Sequence, residues 1–533
     1  MRLPVSLFVI AAALVAGFWW GLGRPVPVAA GAVPDRKLEC VSYSPFRGAQ
    51  SPLDLSVRVD ARQIEEDLAR LAPLTRCIRT YSIQHGLDQI PAIAERHGLK
   101  VLQGLWLSSQ RERNRAEIAG TIELVRRHPG VVSGVVVGNE VLLRGELSAV
   151  DLGAIIREVK AAVPVPVTYA DVWEFWLRNR DLAAAADFIT IHILPYWEDI
   201  PIPAAESGAH VEAIVKKVAA VFPGRDILVG EVGWPSHGRM REGALPSLSN
   251  QALVVQDVLA RAQQGGFRVN VIEAFDQPWK RILEGTVGGH WGLLTDRDRT
   301  PKFLVGEPVS DHPAWLAQAA LGVALVAAVF AAALLAAGSG RAKLPAPVWG
   351  AVAVVAVTGG ALAGLTAEKV AVESLGWGGL VRGAVLMGVA LVAPVVGAAL
   401  LGRGTPLPGF SAAIGGRDDR AADWAGRAGA WLLVVVAVLA VQTALGLVFD
   451  PRYRDFPFAA LTAGVVPFLL VGLVRARGVG VRGAAETVAA AVLGLAAVFV
   501  LLNETPANWQ AAWLAAAFVA LALTLLRVRV APG

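Results

Sequence analysis

The sequence predicts a (β/α)8 TIM barrel over residues 35–310, outside the membrane, joined to a multi-helix α transmembrane domain over residues 311–533. Three observations carry this expectation. Between residues 38 and 306, short β-rich runs alternate eight times with longer amphipathic ones, the pattern of repeated β-α units around a parallel sheet. At 533 residues, 55% hydrophobic content and mean hydropathy +0.52, the chain is too apolar for an ordinary soluble protein. The apolar excess is also uneven, because the acids and histidines concentrate between about residues 35 and 310.

The eight runs in order are ECVSY, RCIRTY, KVLQGLW, VVSGVVV, PVTYA, FITIHI, DILVG and NVIEAF. Eight strands within a domain of this size match the usual length of about 250 residues for a closed barrel. The segments between them fit helices; ARQIEEDLARLAPL, for example, places Ile64, Leu68 and Leu71 on one face. The two cysteines, Cys40 and Cys77, fall near the starts of neighbouring strands and could pair in an oxidising compartment. They are too few for a zinc site, and no metal or cofactor is expected.

Residues 1–34 form the third part. Arg2 precedes the run Leu7 to Leu22, which reads either as an uncleaved anchor, with Trp19 and Trp20 at the interface, or as a signal peptide followed by the small residues of VPVAAGAV. Both readings place the next domain outside the cytoplasm. Seven further apolar runs follow Pro313: Trp315 to Ala337, Val348 to Leu365, Gly383 to Gly402, Ala428 to Phe449, Phe458 to Val474, Ala484 to Leu502 and Ala511 to Leu526. Arg341, Lys343, Arg403, Arg417, Arg420, Arg427, Arg475, Arg477, Arg482, Arg527 and Arg529 fall on one side of them. Glu368, Glu373, Asn503 and Glu504 fall in the opposite loops, together with Arg452 and Arg454, which Asp450 and Asp455 offset. By the positive-inside rule both termini are then cytoplasmic, in a multi-pass protein of a cytoplasmic (inner) membrane. Because the net charge of +5 comes mostly from these loops, it is no nucleic-acid footprint.

Barrel active sites form at the C-terminal ends of strands, and polar and aromatic residues gather at those ends here. They are Tyr43; Arg79 and Tyr81; Trp106; Asn139 and Glu140; Asp171, Trp173 and Trp176; His192, Tyr196 and Trp197; Glu231 and Trp234; and Glu273, Asp276, Trp279, Lys280 and Trp291. A lone polar strand end is usually just solvated. Glu140 and Glu231 depart from that reading because each follows a buried-type run on strands four and seven, which face one another across a closed barrel. Two carboxylates about 5 to 5.5 Å apart are the machinery of retaining glycoside cleavage, one protonated as acid/base and the other ionised as nucleophile. Tryptophans beside carboxylates suit a sugar, which offers apolar C–H faces as well as hydroxyls.

The segments VVVGNEVLLRGELS and ILVGEVGWPSHGR resemble the acid/base and nucleophile motifs of glycoside hydrolase family 17, the β-1,3-glucanase family, over most of residues 38 to 305. The resemblance implies a (β/α)8 fold, a retaining mechanism, Glu140 as acid/base, Glu231 as nucleophile and Asn139 as a hydrogen-bond partner of the sugar. The segments CVSYSPFR, CIRTYS, TYADVWEFW, IHILPYWED and IEAFDQPWKR are similar to a bacterial membrane-attached branch described as β-glucan synthases and β-1,3-glucanosyltransferases. Val232 stands where Thr is common in the motif, and both carboxylates remain.

The expected function is therefore transfer of β-1,3-glucan, through a glucosyl-enzyme, onto a glucan acceptor outside the membrane. The candidate substrate-binding set is Tyr43, Arg79, Tyr81, Asn139, Asp171, Trp173, Trp176, His192, Tyr196, Trp197, Trp234, Glu273, Asp276, Trp279 and Lys280. Hydrolysis of the same substrate shares the first chemical half. A non-catalytic glucan-binding or glucan-export protein is the third reading, opposed by the presence of both carboxylates and by spans nearly free of ionisable groups. Expected partners are β-glucan, the lipid bilayer and a membrane glucan synthase, with no nucleic acid.

Overall fold

The computed structural model describes residues 2–28, 37–338, 344–414, 424–475 and 480–529. Arg341, Lys343, Arg417, Arg420, Arg477 and part of the VPVAAGAV stretch lie outside the described residues. The chain divides into two units: a helical one of Met1–Pro25, Gly238–Glu242 and Ser310–Gly533, and a barrel of Val26–His237 and Gly243–Val309.

In the barrel unit eight parallel strands close in sequence order. They are β1 Cys40–Ser42, β2 Cys77–Arg79, β3 Lys100–Leu105, β4 Val132–Asn139, β5 Val167–Val172, β6 Ile189–His192, β7 Ile227–Val232 and β8 Arg268–Val271. Closure is made where Cys40 pairs with Asn270 and Val41 with Val271. The longer helices of this unit are α2 Ala61–Leu71, α3 Ile90–Arg96, α4 Arg111–Arg127, α5 Ala149–Ala162, α6 Trp173–Arg178, α7 Ala204–Val221, α8 Leu248–Gly265 and α9 Arg281–Gly288, after the N-terminal α1 Arg2–Leu22 of the helical unit. Local chemistry starts several of them. The Asp60, Ser148 and Ser247 side chains accept from backbone N–H groups in the first turns of α2, α5 and α8, as N-caps do. Ile64, Leu68 and Leu71 are buried, as the helical face predicts.

Two strands run further than their apolar stretches, so Asn139 and Glu231 lie within β4 and β7 rather than beyond them. Register shifts occur near these ends, between Val136 and Asn139, Ile191 and His192, and Val229 and Val232. Such bulges re-aim side chains, which matters where a strand must present a functional group. Cys40 and Cys77 form a disulfide across β1 and β2.

The helical unit holds α1, α10 Trp315–Ala337, α11 Ala346–Glu373, α12 Gly376–Arg403, the short α13 Ser411–Ile414, α14 Trp424–Phe449, α15 Phe458–Val474, α16 Ala484–Glu504 and α17 Trp509–Arg527. Seven of these are long and apolar enough to cross a membrane, and α15 is just short at 17 residues. Small residues let them approach: a methyl group on Gly322 would stand 2.4 Å from the Gly360 carbonyl oxygen, and one on Gly364 would strike the Trp19 ring at the same distance. Trp19 is thus buried among α1, α10 and α11 rather than set at an interface, while Trp20 is exposed. Glu368 and Glu373 are likewise not loop residues. They belong to α11, which continues past its apolar run, with Lys369 and Glu373 paired one turn apart at 2.9 Å.

Candidate active site

The end of β4 bends sharply. Gly138 has φ 85° and Glu140 φ 52°, a left-handed conformation that a non-glycine residue adopts only when its surroundings impose it. The imposing contacts are two: Glu140 N–H donates to Ala170 O at 2.8 Å, and Arg144 N–H donates to Glu140 O at 2.9 Å. The Arg144 guanidinium also donates to the Asn139 and Leu107 carbonyls and lies 4.3 Å over the Trp106 ring. Glu140 thereby leaves the strand with a side chain 24% exposed.

Glu231 is more deeply set, with its side chain 7% exposed. The β6–β7 register places His192 beside it. Tyr81 Oη donates to Glu231 Oε1 at 2.8 Å and shares a second 2.8 Å contact with the Ser42 hydroxyl. Arg79 Nη1 lies 3.3 Å from the same carboxylate oxygen and donates to Gly230 O at 2.8 Å, while Nη2 donates to Asn139 Oδ1 at 2.6 Å. Gly230 has to be glycine for this arrangement, since a Cβ there would sit 2.4 Å from Thr190 Cγ2. His192 joins the two acids: Nδ1 is 3.0 Å from Glu140 Oε1, and Nε2 is 3.7 Å from Glu231 Oε1. Oxygens of Glu140 and Glu231 and a ring nitrogen of His192 all lie within 4.8 Å of one another, which supports the closely spaced carboxylate pair of a retaining enzyme.

Burial and charge set the ionisation of the group. At Glu140 burial works upward, but the hydrogen bond and charge of His192, followed by Arg144 and Arg79, take the carboxyl below its ordinary value. Burial, aided by the Glu231 charge, holds the Tyr81 phenol well above its usual range, so it stays a neutral donor. Glu273 is pushed up to about 7 by burial, against the pull of Lys280, whose Nζ is 2.8 Å from Glu273 Oε1. Glu284 on α9 is raised by burial, with the charges of Glu140 and Glu231 adding to that rise and Lys280 opposing it. Glu284 and Arg144 were not in the sequence-derived set. Neither lies at a strand end, the position that identified the others.

The structure gathers Arg79, Tyr81, Asn139, Glu140, His192 and Glu231 into one hydrogen-bonded group, with Glu273 and Lys280 beside it. It sends other candidates elsewhere. Tyr43 is buried and donates to Asp67. Asp171 is buried and takes hydrogen bonds from Tyr169 Oη and the Val172 and Leu143 N–H groups. Trp176 and Trp234 are core residues whose indoles donate to Thr190 O and Leu245 O. Tyr196 is fully buried against Trp197, Trp234 and Trp291, the last also buried. Asp276 is paired with Lys302 at 2.7 Å and accepts from Gly292 N–H. All six are buried among the partners just named. Trp106 is exposed, Trp197 and Trp279 are half-buried, and Trp173 keeps only a small exposed edge under Lys217.

The triad Glu140, His192 and Glu231 has donor atoms close enough to hold a metal ion. Arg79 argues against one there, because its Nη1 already sits 3.3 Å from both His192 Nε2 and Glu231 Oε1 as the local cation.

A closed (β/α)8 barrel carrying two close carboxylates at the ends of β4 and β7 is the architecture of a retaining glycosidase. Residues 40–292 match the family model of the BtgE/BtgC glycoside hydrolase domain, in keeping with the resemblance of this stretch to family 17. Among curated relatives, it is similar to a glucan 1,3-beta-glucosidase of Saccharomyces cerevisiae, 26% identical over 44% of this chain and 82% of the relative. A glucan 1,3-beta-glucosidase of Candida albicans is also 26% identical, over 46% and 87%. Among solved structures, a glycoside hydrolase family 17 beta-1,3-glucanosyltransferase from Rhizomucor miehei covers 50% of this chain and 97% of its own, with 23% identity and a TM-score of 0.45.

Proposed function

We propose that the barrel cleaves β-1,3-glucan with retention, through a glucosyl-enzyme on Glu231, and passes the glycosyl unit to a glucan acceptor outside the membrane. The observation that carries the chemistry is the joining of Glu140 and Glu231 by His192, with Glu231 held by Tyr81 and Arg79. Glu231 attacks the anomeric carbon as Glu140 protonates the departing oxygen; Glu140 then takes a proton from the incoming hydroxyl, which displaces Glu231. The Arg79 contact leaves the Asn139 amide nitrogen to face the sugar. The similarity to glucan 1,3-beta-glucosidases supports a β-1,3-linked glucan as substrate.

Transfer is favoured by the aromatic surface kept by Trp106, Trp197 and Trp279, which suits a bound acceptor able to outcompete water by proximity. Hydrolysis is the second reading, favoured by the glucosidase names of the relatives. The multi-helix unit is proposed to sit in a cytoplasmic membrane with the barrel on the outer side, where the Cys40–Cys77 disulfide persists, and to offer a surface to a glucan synthase. The test is incubation of the detergent-purified chain with laminari-oligosaccharides and linkage analysis of the products. Products longer than the donor support transfer; only shorter products at high substrate leave hydrolysis.

A further inference from the structure

We propose that His192 is a positioning residue that decides which oxygen of Glu140 carries the catalytic proton, by committing its Nδ1–H to Glu140 Oε1 and so leaving the proton on Oε2. This rests on Glu140 being the acid/base of a retaining reaction. The His192 side chain is wholly buried, so the imidazole acts behind the carboxylates and not on the sugar. The charged and titratable groups around it are Arg79 from β2, Glu140 at the end of β4, Asp171 from β5 and Glu231 from β7.

The direction of each hydrogen bond follows from what the groups are able to do. A guanidinium only donates, so at the 3.3 Å contact between Arg79 Nη1 and His192 Nε2 the imidazole nitrogen is the acceptor. A neutral ring that accepts at Nε2 carries its hydrogen at Nδ1, and that hydrogen points along the 3.0 Å contact to Glu140 Oε1. An oxygen already accepting this bond is the poorer place for the carboxyl proton, which therefore sits on Oε2. An imidazolium would face the Arg79 cation at the same contact, a repulsion that the neutral ring avoids.

The reaction then runs without a change in His192. In the first step the Glu231 carboxylate forms a bond to the anomeric carbon, the bond to the leaving oxygen breaks, and the Oε2 proton moves to that oxygen. Negative charge passes from Glu231 to Glu140, and the Nδ1–H bond becomes charge-assisted as it arrives. In the second step the incoming hydroxyl oxygen forms its bond to the anomeric carbon, its proton moves to Oε2, and the bond to Glu231 breaks, which returns the Glu231 carboxylate.

The test compares donors of different leaving-group demand on the full chain in detergent. His192→Leu should lower kcat on laminari-oligosaccharides by about 10²–10³-fold, within the range for general acid–base catalysis, but turnover of a 2,4-dinitrophenyl β-laminaribioside by less than about tenfold, since that leaving group needs no proton. His192→Asn, whose amide N–H replaces the donor, should restore much of the difference. Equal losses on both donors, or no loss on either, overturn the proposal. The second measurement needs no folded variant: in wild-type chain labelled with ¹⁵N-histidine, His192 should be neutral and protonated at Nδ1 at pH 7, and an Nε2–H tautomer or an imidazolium overturns it. Retained turnover of both donors by Glu231→Gln would instead sink the retaining reading itself.

Discussion

Glu140 stands on a backbone that few residues tolerate, with φ 52° fixed by Ala170 and Arg144, and Glu231 sits in a polar cage of Tyr81 and Arg79. These unequal settings suit unequal roles. Replacing Glu231 with Gln should abolish turnover on every donor, because no other group described reaches the place of the nucleophile; steady-state kinetics with oligosaccharide and aryl donors checks this. Replacing Glu140 with Gln should cost about 10²–10⁴-fold on oligosaccharides and far less on a dinitrophenyl donor. Glu273 makes a pH prediction. A carboxyl that binds its proton more tightly folded than unfolded stabilises the fold fully below its ordinary value of 4.5, and that contribution is lost as pH rises through about 7. Glu273→Gln should therefore flatten the dependence of unfolding midpoint on pH between those limits; an unchanged slope refutes the assignment.

Strands and helices carry the next level of the design. Seven of the eight strand runs were legible as apolar or β-branched stretches over most of their length, but β8 begins earlier, at Arg268, and ends at Val271, before the acidic residue of NVIEAF. Beyond Val271 the backbone N–H groups of Ile272, Glu273 and Ala274 donate in turn to Val232, Trp291 and Ser42. Bulges at β4, β6 and β7 were invisible in the sequence, because a bulge depends on the partner strand as much as on its own residues. Gly230→Ala should test how tightly β7 packs against Arg79 and Thr190. The added methyl has no room, so a loss of about 1–3 kcal/mol in denaturant midpoint is expected, together with weaker catalysis. Removing the β1–β2 staple with Cys40→Ala and Cys77→Ala should cost about 2–4 kcal/mol, read by thermal unfolding with and without reductant.

At the level of the whole chain, hydropathy located each apolar helix of the described residues but misplaced several ends. α11 carries Glu368, Lys369 and Glu373 within its length, because paired or bonded charges can complete a helix whose apolar stretch has finished. The topology reading predicts that a cysteine placed at Val150, an exposed barrel position, reacts with a membrane-impermeant maleimide from the outer side of sealed vesicles of known sidedness. One placed at Arg482, between α15 and α16, should react only from the other side. The opposite pattern would reverse the orientation.

The order of runs and turns, their spacing and the composition were enough to set the class of barrel, its two candidate carboxylates and the helical unit, because hydrophobic periodicity and strand-end position are local properties of a chain; whether Cys40 and Cys77 pair was left to geometry. Which aromatics face a sugar was not local. Trp176, Trp234 and Tyr196 look like rim residues in the sequence, yet each is buried: the Trp176 indole, on α6, donates to Thr190 O, the Trp234 indole to Leu245 O, and Tyr196 packs against Trp197, Trp234 and Trp291. The role of His192 was equally a matter of tertiary structure. In IHILPYWED it is one polar residue at the end of an apolar strand; only the β6–β7 register and the reach of Arg79 across the barrel place it between the two acids.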